Sequence, residues 1–428
     1  MTQIPGPRSV ELRAELARFE SRNVTYLADD FPVFWESAAG STVVDVDGNR
    51  YLDLTAAFGV ANAGHANPHV VEAIHAQAEK LMHGMGDVHP THVRARLLER
   101  VAGVLPEGLT KIFLATTGSE AVEAAMKTAM IATGKTAFAS YRGAYHGLSF
   151  GALTIGGIER FRAPFAGVLS ANALLLDFPA GDLDGDAVAR ELAALRRTLA
   201  ARSDLAALVV EPIQSRGGIV VPPEGYLRGV RAICDELGIL LVFDEIYTGF
   251  GRTGFWFACL HDGVVPDVLC LGKAMGSGFP ISAIAARANV MDAWPASRGE
   301  ALHTSTYLGN PMGCAAALAT IDEIERLQLP DRARELAPPV EERLRLLCGR
   351  NGVRDVRGRG LMWGVELHDA AQAGAAVKAA LRRGLIVLQT GRNGNVISIT
   401  PPLVIEREEL DRALDILDSA IAETGGSS

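Results

Sequence analysis

The chain has 428 residues, 48% apolar and 21% charged, with 41 basic against 50 acidic side chains and a formal charge of −9. That length exceeds one compact core, and the acidic balance offers no basic stripe for nucleic acid or an anionic membrane; no apolar run approaches the roughly 20 residues of a membrane span. Five scattered cysteines (Cys234, Cys259, Cys270, Cys314 and Cys348) suggest neither a disulfide framework nor a metal site, and with no leader pattern at Met1–Pro7 they point to an unprocessed, soluble, cytoplasmic protein.

In chain order, the first regular pattern is Thr42 to Leu54, which alternates around Asp47-Gly48 as a hairpin does and predicts the start of a small lobe. Short, almost wholly apolar runs follow at Ile112–Ala115, Ala137–Ser140, Ala207–Val210, Ile239–Phe243 and Val268–Leu271. Runs without polar alternation are expected of strands covered on both faces, in a parallel sheet between helical layers. A helix starting near Ser119 carries Val122, Ala125, Met126 and Ala129 at three- and four-residue spacing. A long helical stretch after Pro311 leads into another at Asp331–Cys348, and Val353–Glu366 reads as strand. Leu410, Leu414, Leu417 and Ile421 mark one face of a last helix before a frayed Gly425-Gly426-Ser427-Ser428. The fold class is α/β, divided into 1–62 as the N-terminal segment of a small lobe, 63–318 as the large domain and 319–428 as the C-terminal small domain.

Two of the apolar runs end in charge. Asp244 closes Ile239–Phe243, and Lys273 follows Val268–Leu271 across Gly272. A lysine and a carboxylate at the ends of buried strands are the two charged groups a pyridoxal phosphate enzyme needs. The amine condenses with the cofactor's aldehyde, and the carboxylate keeps the ring nitrogen protonated. Desolvation at such a position lowers a lysine's pKa and frees its amine. Each residue alone has a plainer reading, Lys273 as a loop lysine and Asp244 as a turn cap; together they favour the cofactor. Gly118 and Ser119, in Thr116-Thr117-Gly118-Ser119-Glu120-Ala121 between a strand and a helix, offer a tight turn and amide donors to a phosphate, or an ordinary N-cap. Tyr145 of Tyr145-His146-Gly147 can lie flat on a ring or simply pack. Glu211 adds another charged strand end, where α/β sheets bind ligands.

Asp45-Val46-Asp47-Gly48, Gly64-His65, Thr117-Gly118-Ser119-Glu120, Tyr145-His146-Gly147, Glu211-Pro212, the Asp244–Gly254 segment, Gly272-Lys273 and Thr306-Tyr307-Leu308-Gly309-Asn310-Pro311 span nearly the whole chain. In these motifs the sequence resembles the class III aminotransferases, the group of 4-aminobutyrate, ornithine and ω-amino acid transaminases. The resemblance implies pyridoxal phosphate fold type I, with a mostly parallel seven-stranded sheet between helical layers and a smaller α+β lobe built from both termini. It also implies a homodimer with shared active sites, an amino donor and an oxo acid acceptor, and no metal. By position, Lys273 resembles the Schiff-base lysine and Asp244 the partner of the pyridine nitrogen. Gly118 and Ser119 resemble the phosphate cup, and Tyr145 and Ile246 the residues that sandwich the ring. His146 and Glu211 lie in matched motifs and count with the cofactor-binding residues. Thr306 resembles the phosphate ligand given by the neighbouring subunit, and Tyr247 stands where many relatives carry a glutamine.

The substrate end departs from the family. Many relatives hold a substrate carboxylate with an arginine near the C-terminus, neutralised by a glutamate after the Glu-Pro motif; here Ser398 stands at the arginine's place and Arg216 at the glutamate's. Arg216 can itself receive a carboxylate, Arg392 resembles a mobile arginine of amine:pyruvate transaminases, or both are merely solvated or paired. Phe58 and Met85 are expected to line the donor pocket. The function read from these residues is transamination to pyruvate or 2-oxoglutarate. A racemase, an epimerase or a decarboxylating transaminase on the same fold is the nearer alternative, and a cofactor-binding regulator without turnover the remoter one.

Overall fold

The computed structural model describes residues 3–181 and 183–425; the end of the expected frayed tail, 426–428, lies outside the described residues, and Gly425 closes the last helix. Near the N-terminus Trp35–Ala39 (β1), Thr42–Asp45 (β2) and Arg50–Asp53 (β3) form an antiparallel meander. The β2–β3 turn is organised by Asp45: its Oδ1 accepts from the backbone N–H of Asp47 at 3.0 Å and of Asn49 at 2.8 Å, and its Oδ2 from the Tyr51 hydroxyl at 2.6 Å. A carboxylate that folds back on the next backbone amides is what an Asx turn supplies, so the predicted hairpin has its local cause in one side chain.

The central sheet comprises Leu109–Ala115 (β4), Ala137–Tyr141 (β5), Ala173–Leu176 (β6), Leu205–Val210 (β7), Leu240–Asp244 (β8), Val268–Leu271 (β9) and Ser282–Arg287 (β10), in the order β4-β10-β9-β8-β7-β5-β6. Neighbours pair in parallel except at β10, which runs antiparallel to both β4 and β9. The absence of polar alternation has a direct explanation. Leu241 and Phe243 of β8 pack with Leu227, Val230 and Ile233 of helix Tyr226–Leu237, whereas Val242 packs with Val122, Ala125 and Ala129 of helix Gly118–Thr133. Both strand faces are core, and each such leucine or valine contributes about 1.5–3 kcal/mol by leaving water.

Helices Pro311–Arg326 and Leu329–Arg345 lead to a hairpin of Val353–Arg359 (β11) and Met362–Leu367 (β12), so the predicted strand at 353–366 is two strands reversing at Gly360. After helix Ala370–Arg382 come Leu385–Ile386 (β13), Leu388–Thr390 (β14) and Val396–Ile399 (β15). β13 pairs in parallel with β3, which joins the two termini in one sheet, β1-β2-β3-β13; the other small sheet is β11-β12-β15-β14. The last helix, Arg407–Gly425, buries Leu410, Leu414, Leu417 and Ile421 on one face. Among the described residues no helix is long and apolar enough to cross a membrane.

Candidate active site

Parallel strands deliver their C-terminal ends to one side of a sheet, and here those ends carry the chemistry. Asp244 is the last residue of β8, Glu211 follows β7, Lys273 follows β9 across Gly272, Gly118 and Ser119 open the helix after β4, and Tyr145 and His146 lie beyond β5. All of them, with Phe58, Thr117, Gly147, Ser215, Arg216, Ile246 and Tyr247, line one cleft of about 320 Å³.

Asp244 is buried, and its Oδ2 accepts from His146 Nδ1 at 2.8 Å while Oδ1 accepts from the Ile246 amide at 3.2 Å. The other ring nitrogen of His146, Nε2, lies 3.1 Å from Ser140 Oγ. Burial pulls the His146 pKa down, but the hydrogen bond and charge of Asp244 outweigh it and leave the value above 6.5. Glu211 is also buried: Oε1 accepts from the Tyr145 amide at 2.8 Å, and Oε2 from the Ser215 amide at 3.0 Å and hydroxyl at 2.7 Å. Its pKa is raised, chiefly by burial. The adjacent Glu245 serves the backbone instead. It accepts from the amides of Ala258 at 2.6 Å and Cys259 at 2.7 Å, and so pins the following loop.

Lys273 has φ +45°, a left-handed conformation that a side-chain-bearing residue keeps only where its surroundings impose it. Its Nζ lies 4.7 Å from the centre of the Tyr247 ring. Desolvation lowers its pKa below 10.5, against the opposing pull of Asp244 and Glu211, and the positive charge of Arg216 adds to the lowering. Tyr247 is fixed by its hydroxyl, which is 3.1 Å from Thr400 Oγ1; that hydroxyl donates in turn to the Thr55 carbonyl at 3.2 Å. A Cβ at position 59 would lie 2.9 Å from the Tyr247 ring, so Gly59 (φ +73°) makes room for it.

At the opposite end, helix Gly118–Thr133 is capped by Thr117, not Ser119. The Thr117 hydroxyl accepts from the Glu120 amide at 3.2 Å, and Glu120 Oε2 accepts from the Thr117 amide at 3.2 Å and the Thr116 amide at 2.8 Å, a capping box. Ser119 is thereby released from capping: its Oγ accepts from the Leu148 amide at 3.2 Å, which leaves its O–H to be donated to an anion. A Cβ at Gly147 (φ +121°) would stand 2.0 Å from Ser119 Oγ, so only glycine allows this approach. Tyr145 and Ile246 supply apolar walls, with Ile246 also packed close to Gly118 and Gly272. A free hydroxyl at a helix start, a buried carboxylate and a desolvated amine share one cleft, a set of groups that fits pyridoxal phosphate.

Four of the residues singled out in the sequence do not line this cleft. Thr306 and Met85 are exposed on their own chain, Met85 at 59%. Arg392 is exposed and donates through Nη2 to the Arg142 carbonyl. Ser398 is buried in β15, where its hydroxyl donates to the Leu388 carbonyl at 3.2 Å. Arg216 and Phe58 do line it. Sequence reasoning missed Ser140, Ser215, Thr117 and Thr400; only Thr117 had a readable signal, the Thr-x-x-Glu spacing to Glu120.

Comparison with known proteins gives the family. Residues 25–421 match the class-III aminotransferase family model. The chain is 40% identical over 389 residues to an acetylornithine aminotransferase from Methanosarcina mazei, which covers 91% of this chain and 92% of that protein. A thermostable (S)-enantioselective omega-transaminase from Thermomicrobium roseum superposes with a TM-score of 0.91 at 30% identity, over 97% of this chain and 98% of the other. A PLP-bound amine transaminase from an uncultivated Pseudomonas species superposes with a TM-score of 0.88 at 32% identity, over 95% and 98%. The chain belongs to the class III aminotransferases and is a pyridoxal phosphate-dependent transaminase of fold type I.

Proposed function

We propose that this transaminase takes an amino group from an amine or an ω-amino acid and passes it to an oxo acid, with Lys273 as both the residue that bonds the cofactor and the one that moves the proton. One observation carries the reading: of six lysines (Lys80, Lys111, Lys127, Lys135, Lys273 and Lys378), only Lys273 lines the cleft, and it shares that cleft with Asp244. Pyridoxal phosphate supplies an aldehyde for covalent capture of the amine and a ring that accepts the electron pair released at the substrate carbon. Asp244, backed by His146 and Ser140, holds a proton on the ring nitrogen. Lys273 Nζ, with its proton affinity lowered by burial, would be the group that takes the proton from the substrate carbon and carries it onward. Gly118 and Ser119 anchor the phosphate, and Tyr145 and Ile246 bracket the ring.

In this reading two copies pair, so that Thr306 reaches the partner's phosphate site and Met85 the partner's donor pocket. The exposure of Met82, Met85, Val88, Leu302 and Tyr307 supports such a contact. Residues 1–62 and 319–428 then form the small lobe around the 63–318 cofactor domain. The reducing cytoplasm suits its thiols, four buried and Cys348 exposed. The names of the relatives, acetylornithine and amine transaminases, favour transamination over racemisation and point to donors with a terminal primary amine. The test mixes holoenzyme with a panel of such donors and follows the cofactor spectrum. One equivalent of carbonyl product per site is expected before any acceptor is added; inversion of a chiral donor without a second substrate would overturn the reading.

A further inference from the structure

We infer that Arg216 is the carboxylate receptor of the cleft, and that it selects monocarboxylic 2-oxo acids, the pyruvate class, as amino acceptors. The inference deepens the transaminase reading and rests on it. Arg216 sits in the loop after β7, part-buried, with its Cζ 5.6 Å from the centre of the Phe58 ring and 5.3 Å from that of Tyr145. Two aromatic rings hold the guanidinium without using its N–H groups, which stay available for a planar, bidentate partner. The backbone beneath is fixed as well: the Arg216 carbonyl accepts from the Gly391 amide and the Thr390 hydroxyl, both at 3.2 Å. Phe58 has φ +64°, so one wall of this clamp is itself held in a left-handed conformation.

Among the described residues the Arg216 guanidinium makes no ion pair, although two carboxylates line the same cleft. Both are committed elsewhere, Glu211 to Tyr145 and Ser215, and Asp244 to His146. A cation that faces a cleft and is left unpaired in a chain of net negative charge is poised for an anionic ligand. The rival positions lack this property: Arg392 does not line the cleft and donates through Nη2 to the Arg142 carbonyl, and Ser398 is neutral and buried.

Within one chain the same inventory leaves a single free cation in the cleft, which matches a ligand with one carboxylate. The other cleft cations are Lys273, needed for the chemistry, and His146, paired to Asp244. Arg160 feels the charge of Arg216, but it is exposed, stacks on Phe161 at 4.9 Å and does not line the cleft. A second carboxylate would meet Glu211, Asp244 or the rings of Phe58 and Tyr145, and an unpaired charge there is costly to bury.

The experiment uses holoenzyme. Calorimetry measures the binding of propionate and glutarate, which carry one and two carboxylates and do not react. In parallel, donor-loaded enzyme is returned to its starting spectrum by pyruvate, by 2-oxoglutarate and by propanal, which has the carbonyl and no carboxylate. Propionate is expected to bind more tightly than glutarate, and pyruvate to outperform 2-oxoglutarate. Arg216→Met should weaken propionate by about 10- to 100-fold and lower the pyruvate-to-propanal ratio of kcat/KM by the same factor, with partial recovery in Arg216→Lys. Equal losses on pyruvate and propanal, unchanged propionate binding, or a preference for the dicarboxylates would each overturn the inference. A cofactor spectrum that no donor alters would sink the transaminase reading instead, while propionate binding would still judge Arg216 by itself.

Discussion

The two ends of the cleft are built on opposite principles. Around the cofactor's expected ring, both carboxylates are tied to the protein: Asp244 to His146, and Glu211 to Tyr145 and Ser215. Tyr247 is likewise tied to Thr400. At the Arg216 end, among the described residues, the cation makes no ion pair and lies over the rings of Phe58 and Tyr145. A network whose members satisfy one another costs no reorganisation when the reaction moves charge, so it suits chemistry common to all substrates. An unpaired guanidinium binds nothing until a ligand arrives, so it suits selection among them.

Substitutions can break or sharpen this contrast. The largest effect is expected at Lys273→Ala, which removes both the bonding amine and the proton carrier and should lower turnover by more than about 10⁴-fold with loss of the holoenzyme absorbance band; a variant that keeps both would place the chemistry elsewhere. Asp244→Asn should reduce kcat by roughly 10²–10³-fold with little change in KM for the donor, because it removes charge stabilisation and leaves the pocket's shape intact. A loss confined to KM would contradict this. Tyr247→Phe deletes only the hydroxyl that meets Thr400: unfolding stability should fall by about 1 kcal/mol with turnover changed by a few-fold at most, as denaturant titration and initial rates would measure. Were turnover to collapse, the hydroxyl would have a chemical role that its bond to Thr400 hides.

The smallest effect is one of pH. His146 has a pKa raised above 6.5 in the folded chain, so its contribution to stability is complete below 6.5 and is lost as pH rises through the higher folded value. Denaturation of the apoprotein at successive pH values should show this decline, and Asp244→Asn should flatten it. An unchanged slope would mean that the His146 proton does not depend on that carboxylate.

Much of this was legible because the strands that carry the site are apolar on both faces and end abruptly in charge. Val268–Leu271 has the boundaries read from the sequence, and the runs before Asp244 and Glu211 differ by a residue or two. β10 escaped for a physical reason: Ser282-Ala283-Ile284-Ala285-Ala286-Arg287 is half alanine, with little intrinsic preference for extended structure, and is held by neighbours on both sides. The hairpin within 353–366 was read as one strand because its turn residues, Gly360 and Leu361, interrupt the pattern only briefly. At the site, Ser140 and Thr400 are single polar residues within apolar strands or loops. Ser140 meets His146 through the turn of the loop after its strand, and Thr400 meets Tyr247 from 153 residues away, only once the chain has folded. The choice between Arg216 and Arg392 was open in sequence for the same reason, since both are arginines beside glycines and only the fold turns one into the cleft and the other onto the Arg142 carbonyl.

The most direct measurement is chemical trapping of the lysine. Holoenzyme reduced with borohydride, digested and sequenced by mass spectrometry should carry the pyridoxyl group on the peptide containing Lys273, at close to one per chain. Label on any of the other five lysines, or none at all, would contradict the account.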